Sequence, residues 1–188
     1  MPSVVEPAKR PLRALPHAEL YARFARALES GDGPDGAHCV HELWMRGEPG
    51  ANVERALARL WERAAAAVPD WLPMRHVAWL PVAYEVAARF SAPRRGRTNV
   101  YLVLLDYADS RDEPYGVYVG ISHRTAAERF DQHKAGIHAA GSVLKRGLEP
   151  LTGPVRHLQK LRRADALAIE EGLAEALRAA GLFVKGGH

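Results

Sequence analysis

Three observations predict an α/β (α+β) chain in two parts. Apolar residues in the first half recur at helical spacing. The second half opens with two β-prone runs around a turn-rich gap. A Pro- and Arg-rich stretch, residues 91–97, joins them. The expected architecture is a helical N-terminal region over residues 1–95, then a small domain over residues 96–188. In that domain a three-stranded antiparallel sheet is flanked by helices.

In the first half, Leu20, Phe24, Ala27 and Leu28 mark one face of a helix over His17–Ser30. GDGPDG, residues 31–36, reads as a loop on composition, and a second helix is expected over residues 38–45. Asn52 stands where an N-cap would precede a helix over residues 53–68, with Leu57, Leu60, Trp61 and Ala64 on its apolar face. Pro69, Pro73 and Pro81 interrupt the chain before a short helix over residues 82–90. His38, Cys39, His41 and Glu42 are metal-ligand types, but no second Cys/His pair follows at zinc-site spacing. Trp44, Trp61, Trp71 and Trp79 suit core packing better than base stacking.

In the second half, residues 100–105 and 115–121 predict the two strands of a hairpin, and residues 155–161 a third strand. Between residues 124 and 135 the spacing turns helical. Ala126 and Phe130 define the buried stripe there, with Arg129 and His133 four apart on its shoulder. A last helix over residues 164–180 carries Ala166, Ile169, Leu173, Leu177 and Ala180 as its apolar stripe. At about 100° per residue, Glu170 lies roughly 60° from the stripe's centre and Glu171 roughly 160°. Glu170 is therefore the carboxylate expected against the sheet, where it needs a donor, a cation or a metal. Lys145, Arg146, Arg156, Lys160, Arg162 and Arg163 are opposed only by Glu149, which makes this the most basic stretch and the candidate phosphate-backbone track. The arginines of residues 91–97 suit a solvated linker, or contact with the same backbone.

The formal charge of +4 leans only mildly towards a polyanionic partner. A single cysteine, Cys39, excludes an internal disulfide and suits a reducing compartment. No apolar run is long enough to span a bilayer, and prolines at positions 2, 7, 11 and 16 break the N-terminal stretch. A cytoplasmic protein without membrane partners is the expectation.

Taken in order, these motifs resemble a GIY-YIG nuclease domain, over roughly residues 97 to 188. Asn99-Val100-Tyr101 stands at the first tripeptide, Tyr118-Val119-Gly120 at the second, and Ser122 at the usual small hydroxyl position. Arg129-x-x-x-His133 and Ala166-x-x-x-Glu170 follow in turn. Three differences accompany the likeness. Asn99 replaces a glycine, residues 107–114 lengthen the gap between the tyrosines, and no asparagine follows Glu170. The resemblance implies a metal-dependent endonuclease that hydrolyses phosphodiester bonds in DNA, with RNA the less favoured substrate. It implies Tyr101, Tyr118, Arg129, His133 and Glu170 as catalytic residues, with Glu170 holding Mg²⁺ or Mn²⁺. Tyr101 would position or deprotonate water, a base role requiring a depressed pKa or a relay to His133. The alternative is a catalytically silent accessory module that binds nucleic acid. The N-terminal helices would select the substrate or a protein partner.

Overall fold

A computed structural model of the protein describes residues 6–187. Residues 1–5 of the proline-broken N-terminus, and His188 of the tail, lie outside the described residues. The chain forms two compact units, Met1–Pro81 and Val82–His188. The division falls within the helix that precedes the arginine-rich stretch, rather than in that stretch itself. No helix among the described residues is long and apolar enough to cross a membrane.

The first unit is helical. α1 (His17–Ser30) buries Leu20, Phe24, Ala27 and Leu28, the stripe that the sequence predicts. α2 (Gly33–Met45) begins five residues earlier than expected, inside GDGPDG. Asp32 caps it, its side chain accepting from the Asp35 amide at 3.0 Å, and Pro34 fits the first turn, where its missing N–H costs nothing. Asp-x-Pro was thus a helix-start signal concealed by glycines. Those glycines permit close packing: a Cβ on Gly36 would lie 2.5 Å from Leu60 Cδ1. α3 (Gly50–Ala64) starts before Asn52, whose side-chain amide instead donates to Glu48 Oε1 at 2.6 Å.

The His38–Glu42 cluster has a structural use. Glu42 is 1% exposed and receives Arg10 at 2.8 and 3.0 Å and Arg46 at 2.8 Å. Burial alone would raise its carboxyl pKa, but the two guanidiniums outweigh burial and hold it below the ordinary range. Burial pushes the Cys39 thiol up to about 12, which leaves it inert. Trp44 and Trp71 are core residues, and the Trp44 indole donates to the Val77 carbonyl at 3.0 Å.

α4 (Leu80–Ala87) leads into the second unit, a mixed α/β unit. Its sheet has four strands rather than three, in the order β3-β1-β2-β4. β1 (Asn99–Asp106) and β2 (Tyr115–Ser122) form the expected antiparallel hairpin, with Tyr101 opposite Gly120 and Val103 opposite Tyr118. β3 (Gly147–Pro150) pairs antiparallel with β1, and β4 (Val184–Gly186) pairs parallel with β2. The third strand expected at residues 155–161 is corrected to a coiled segment. It opens with a 3₁₀ turn at Gly153–Val155, and the Leu158 amide bonds back to the Val155 carbonyl at 2.9 Å. Val155, Leu158 and Leu161 are all buried, and their spacing of three belongs to a turn, not to a strand's period of two. Leu161 alone bridges to Thr98.

α5 (Ala126–Lys134), α6 (Gly141–Arg146) and α7 (Arg163–Ala179) complete the unit. Tyr101, Val103, Leu105 and Tyr107 cluster with Val143 of α6 and Phe130 of α5 on one face of the sheet. α7 packs on β1 and β2 through a side that includes Ile169 and Leu173.

Candidate active site and its basic groove

α5 carries Arg129 and His133, and its start is fixed. Thr125 and Glu128 make a reciprocal capping box, each satisfying the other's amide at 3.2 and 2.9 Å. The buried residue of this helix is His133, 0% exposed, while Ala126 and Phe130 are only half-buried. Ala126 and Phe130 still pack on the core, and His133 joins their stripe instead of standing on its shoulder. The ring replaces an aliphatic side chain because Tyr101 on the sheet and the Ala140 amide before α6 offer it polar partners.

His133 Nε2 lies 2.9 Å from the Tyr101 hydroxyl, and its Nδ1 accepts from the Ala140 amide at 3.0 Å. A backbone N–H can only donate, so Nδ1 carries no proton. Burial first, and then the nearby Arg129, hold the ring neutral down to about pH 4. The single proton of the neutral ring therefore sits on Nε2 and is donated to the Tyr101 oxygen. Tyr101 keeps its own proton. Burial raises its pKa above the ordinary phenol value, the Tyr118 hydroxyl adds to that, and Arg129 only partly offsets it. Tyr118 is raised as well, by burial, with a contribution from the Glu170 carboxylate that opposes its hydrogen bond with Tyr101. Neither route to a tyrosine base, a depressed pKa or a relay to His133, agrees with this arrangement.

Gly120 makes the tyrosine pair possible. A Cβ there would sit 2.7 Å from Tyr101 Cζ and the Tyr101 hydroxyl, and 2.7 Å from Tyr118 Cε1. Gly120→Ala should force the rings apart, destabilising the unit by about 1–3 kcal/mol through overpacking. The check is a urea melt, together with tyrosine fluorescence or ring NMR shifts. An unchanged melt and unchanged ring signals would contradict the crowding.

Glu170 is 8% exposed on α7, while Glu171 faces solvent, as the helical angles predict. Among the described residues no group of three or more His, Cys, Asp or Glu is arranged to hold a metal. Glu170 would act as a single carboxylate ligand. That fits a hydrated Mg²⁺, which takes one or two carboxylates plus substrate oxygens and retains water.

Arg129 lines an open groove of about 670 Å³ with Thr98, Ile121, Ser122, His123, Gln132, His138 and Arg163. No carboxylate is among these residues. Arg129 also fixes one wall, donating to Gln132 Oε1 at 3.1 Å and to the Ile137 and His138 carbonyls at 3.3 and 2.8 Å. Asn99, at the expected glycine position, donates to the Arg124 carbonyl at 3.0 Å and accepts from the Lys160 amide at 2.9 Å. It ties the start of β1 to the loop before α5.

The basic stretch divides. Arg146 is engaged by Asp109 at 2.7 and 3.1 Å and by the Asp106 carbonyl at 2.8 Å. It also stacks 4.4 Å over the Tyr107 ring, which pins the hairpin loop. Lys145 lies beside the same aspartates. Lys160, Arg162 and Arg163 adjoin Thr98, at the opposite end of β1, and residues 99 and 105 of an extended strand are roughly 20 Å apart. Arg156 follows the 3₁₀ turn and is half-buried. Sequence reading missed His123, His138 and the Ala140 amide, because only folding brings the two loops beside α5. In comparisons with known proteins, no family model, curated sequence or solved structure matches this chain.

Proposed function

We propose that this chain is a metal-dependent endonuclease hydrolysing phosphodiester bonds in DNA, with Tyr101, Tyr118, Arg129, His133 and Glu170 as its working residues. One observation carries this: residues from both strands of the hairpin, α5 and α7 converge beside a groove that has arginines and no carboxylate. The likeness of the ordered motifs to a GIY-YIG domain supports the same reaction class. Phosphodiester hydrolysis needs an attacking water, charge neutralisation on the phosphoryl oxygens and help for the leaving oxygen.

Arg129 would supply fixed positive charge to the phosphate, its guanidinium already oriented by two carbonyls and Gln132. Tyr101 and Tyr118, neutral hydroxyls at physiological pH, would orient the water and a phosphoryl oxygen by hydrogen bonding. His133 sets the direction of that chain by donating to Tyr101. Glu170 would hold Mg²⁺, or Mn²⁺, which when bound supplies positive charge to the phosphate and acidifies water. The helical unit would choose the substrate or a protein partner.

The test is cleavage of plasmid, single-stranded, flap and junction DNA, with RNA alongside, in Mg²⁺, Mn²⁺ or EDTA. Arg129→Ala should lose about 10²–10³-fold in rate, as for removal of one preorganised electrostatic donor. Binding without metal-dependent cuts in every lane would favour the silent accessory module.

A further inference from the structure

We infer that Arg94, Arg95, Arg97, Lys160, Arg162 and Arg163 form a two-stranded cationic ridge that carries the sugar–phosphate backbone of a nucleic-acid strand into the Arg129 groove. The destination rests on the nuclease proposal; the binding does not.

Composition makes residues 91–97 a solvated linker, but the backbone binds them to the fold. The Gly96 amide donates to the Lys160 carbonyl at 2.8 Å. Thr98 and Leu161 exchange both their amide bonds, at 3.0 and 2.8 Å. Gly96 is needed for this approach, since a Cβ there would collide with the Leu161 carbonyl and lie 2.6 Å from the Arg162 amide. Two basic segments far apart in sequence are thereby held side by side.

All six cations are exposed, and none has a side-chain hydrogen bond or ion pair among the described residues. This contrasts with Arg10, Arg23, Arg46 and Arg146, each bound to a carboxylate. Like charges on neighbouring strands repel. Arg162 and Arg163 also occupy the N-cap and first position of α7, where the helix dipole disfavours cations. The arrangement opposes folding twice over, and a bound polyanion relieves both penalties. Arg163 lines the Arg129 groove as well, so the ridge is continuous with the candidate site. A run of phosphates at regular spacing is the partner that matches a row of cations ending in an acid-free groove.

The test is fluorescence anisotropy with labelled single-stranded and duplex DNA and RNA in EDTA, over a range of salt. Two variants divide the ridge: Arg94→Gln with Arg95→Gln and Arg97→Gln, and Lys160→Gln with Arg162→Gln. Removing one cation–phosphate pair should reduce the slope of log K against log salt by about 0.7–0.9. All five substitutions together should weaken binding about 100-fold or more near 0.1 M salt. Lysine in place of the three arginines should largely preserve the slope. Arg55→Gln with Arg59→Gln, on the exposed side of α3, should change nothing. Arg97→Gln alone serves if a multiple variant fails to fold.

Unchanged slopes in both halves, or no wild-type binding to any nucleic acid, would overturn the ridge. Equal competition by polyglutamate of matched charge would do the same, in favour of an acidic protein partner. Absence of metal-dependent cleavage by the wild type on every substrate would defeat the nuclease proposal and leave the ridge standing on its binding.

Discussion

Glu170→Gln is expected to lower metal-dependent cleavage by about 10³-fold, roughly 4 kcal/mol of transition-state stabilisation, while the protein stays folded. Glutamine keeps the volume and one oxygen of the side chain but removes the charge a divalent cation requires. Glu170 is 8% exposed, and glutamine fills the same volume, so the substitution leaves a polar group in place rather than a cavity. A second consequence can be read without any metal. The Glu170 charge is one of the influences holding the Tyr118 phenol above its ordinary pKa, so the substitution should let Tyr118 ionise at lower pH. Phenolate absorbance during an alkaline titration measures this directly. Cleavage at the wild-type rate would remove Glu170 from the metal assignment. An unmoved tyrosine titration would show that its charge does not reach the site.

How much of this was legible in the sequence depends on whether the signal was local. The hairpin was legible because two β-prone runs flank a polar gap. The last helix was legible because its apolar stripe is regular enough to separate Glu170 from Glu171. The segment at residues 155–161 was misassigned because apolar residues in a short window satisfy a strand by content, and only their spacing of three betrays the coil. β4 is three residues long and pairs with a distant strand, so no local pattern marks it. Gly186 has φ 79°, and a Cβ there would meet the Val119 carbonyl, which explains that glycine only once the parallel pairing is known. Arg129 and His133 could be nominated from their spacing, whereas their partners could not. Ala140 reaches His133 through its amide, and a backbone donor leaves no trace in residue type.

That amide leads to the second large effect. At neutral pH the His133 ring should be neutral with its proton on Nε2, a state that two-bond ¹H–¹⁵N correlation spectra identify directly. Glutamine places its terminal amide near the Nε2 position and can still donate to Tyr101. Asparagine reaches only the Nδ1 position and preserves the Ala140 contact alone. His133→Gln should therefore cleave about 10-fold slower than wild type, and His133→Asn about 10²–10³-fold slower, the scale of losing a positioned donor. The reverse ranking, or an Nδ1–H ring in the spectra, would restore His133 as the acceptor of the Tyr101 proton. Stability supplies an independent reading. Folded His133 resists protonation to about pH 4, because of burial and then Arg129, while an exposed histidine in the unfolded chain takes its proton near 6.5. Between those values the unfolded chain binds more protons, so stability should fall as pH drops from about 6.5 towards 4. His41, also held to about 4 chiefly by burial, adds a dependence of the same sign. Urea melts across this window should show a shallower decline in His133→Gln than in wild type, with the His41 contribution remaining. An identical slope in the two proteins would mean that His133 takes up its proton equally in the folded and unfolded chain, and the neutral ring accepting from Ala140 would then fail.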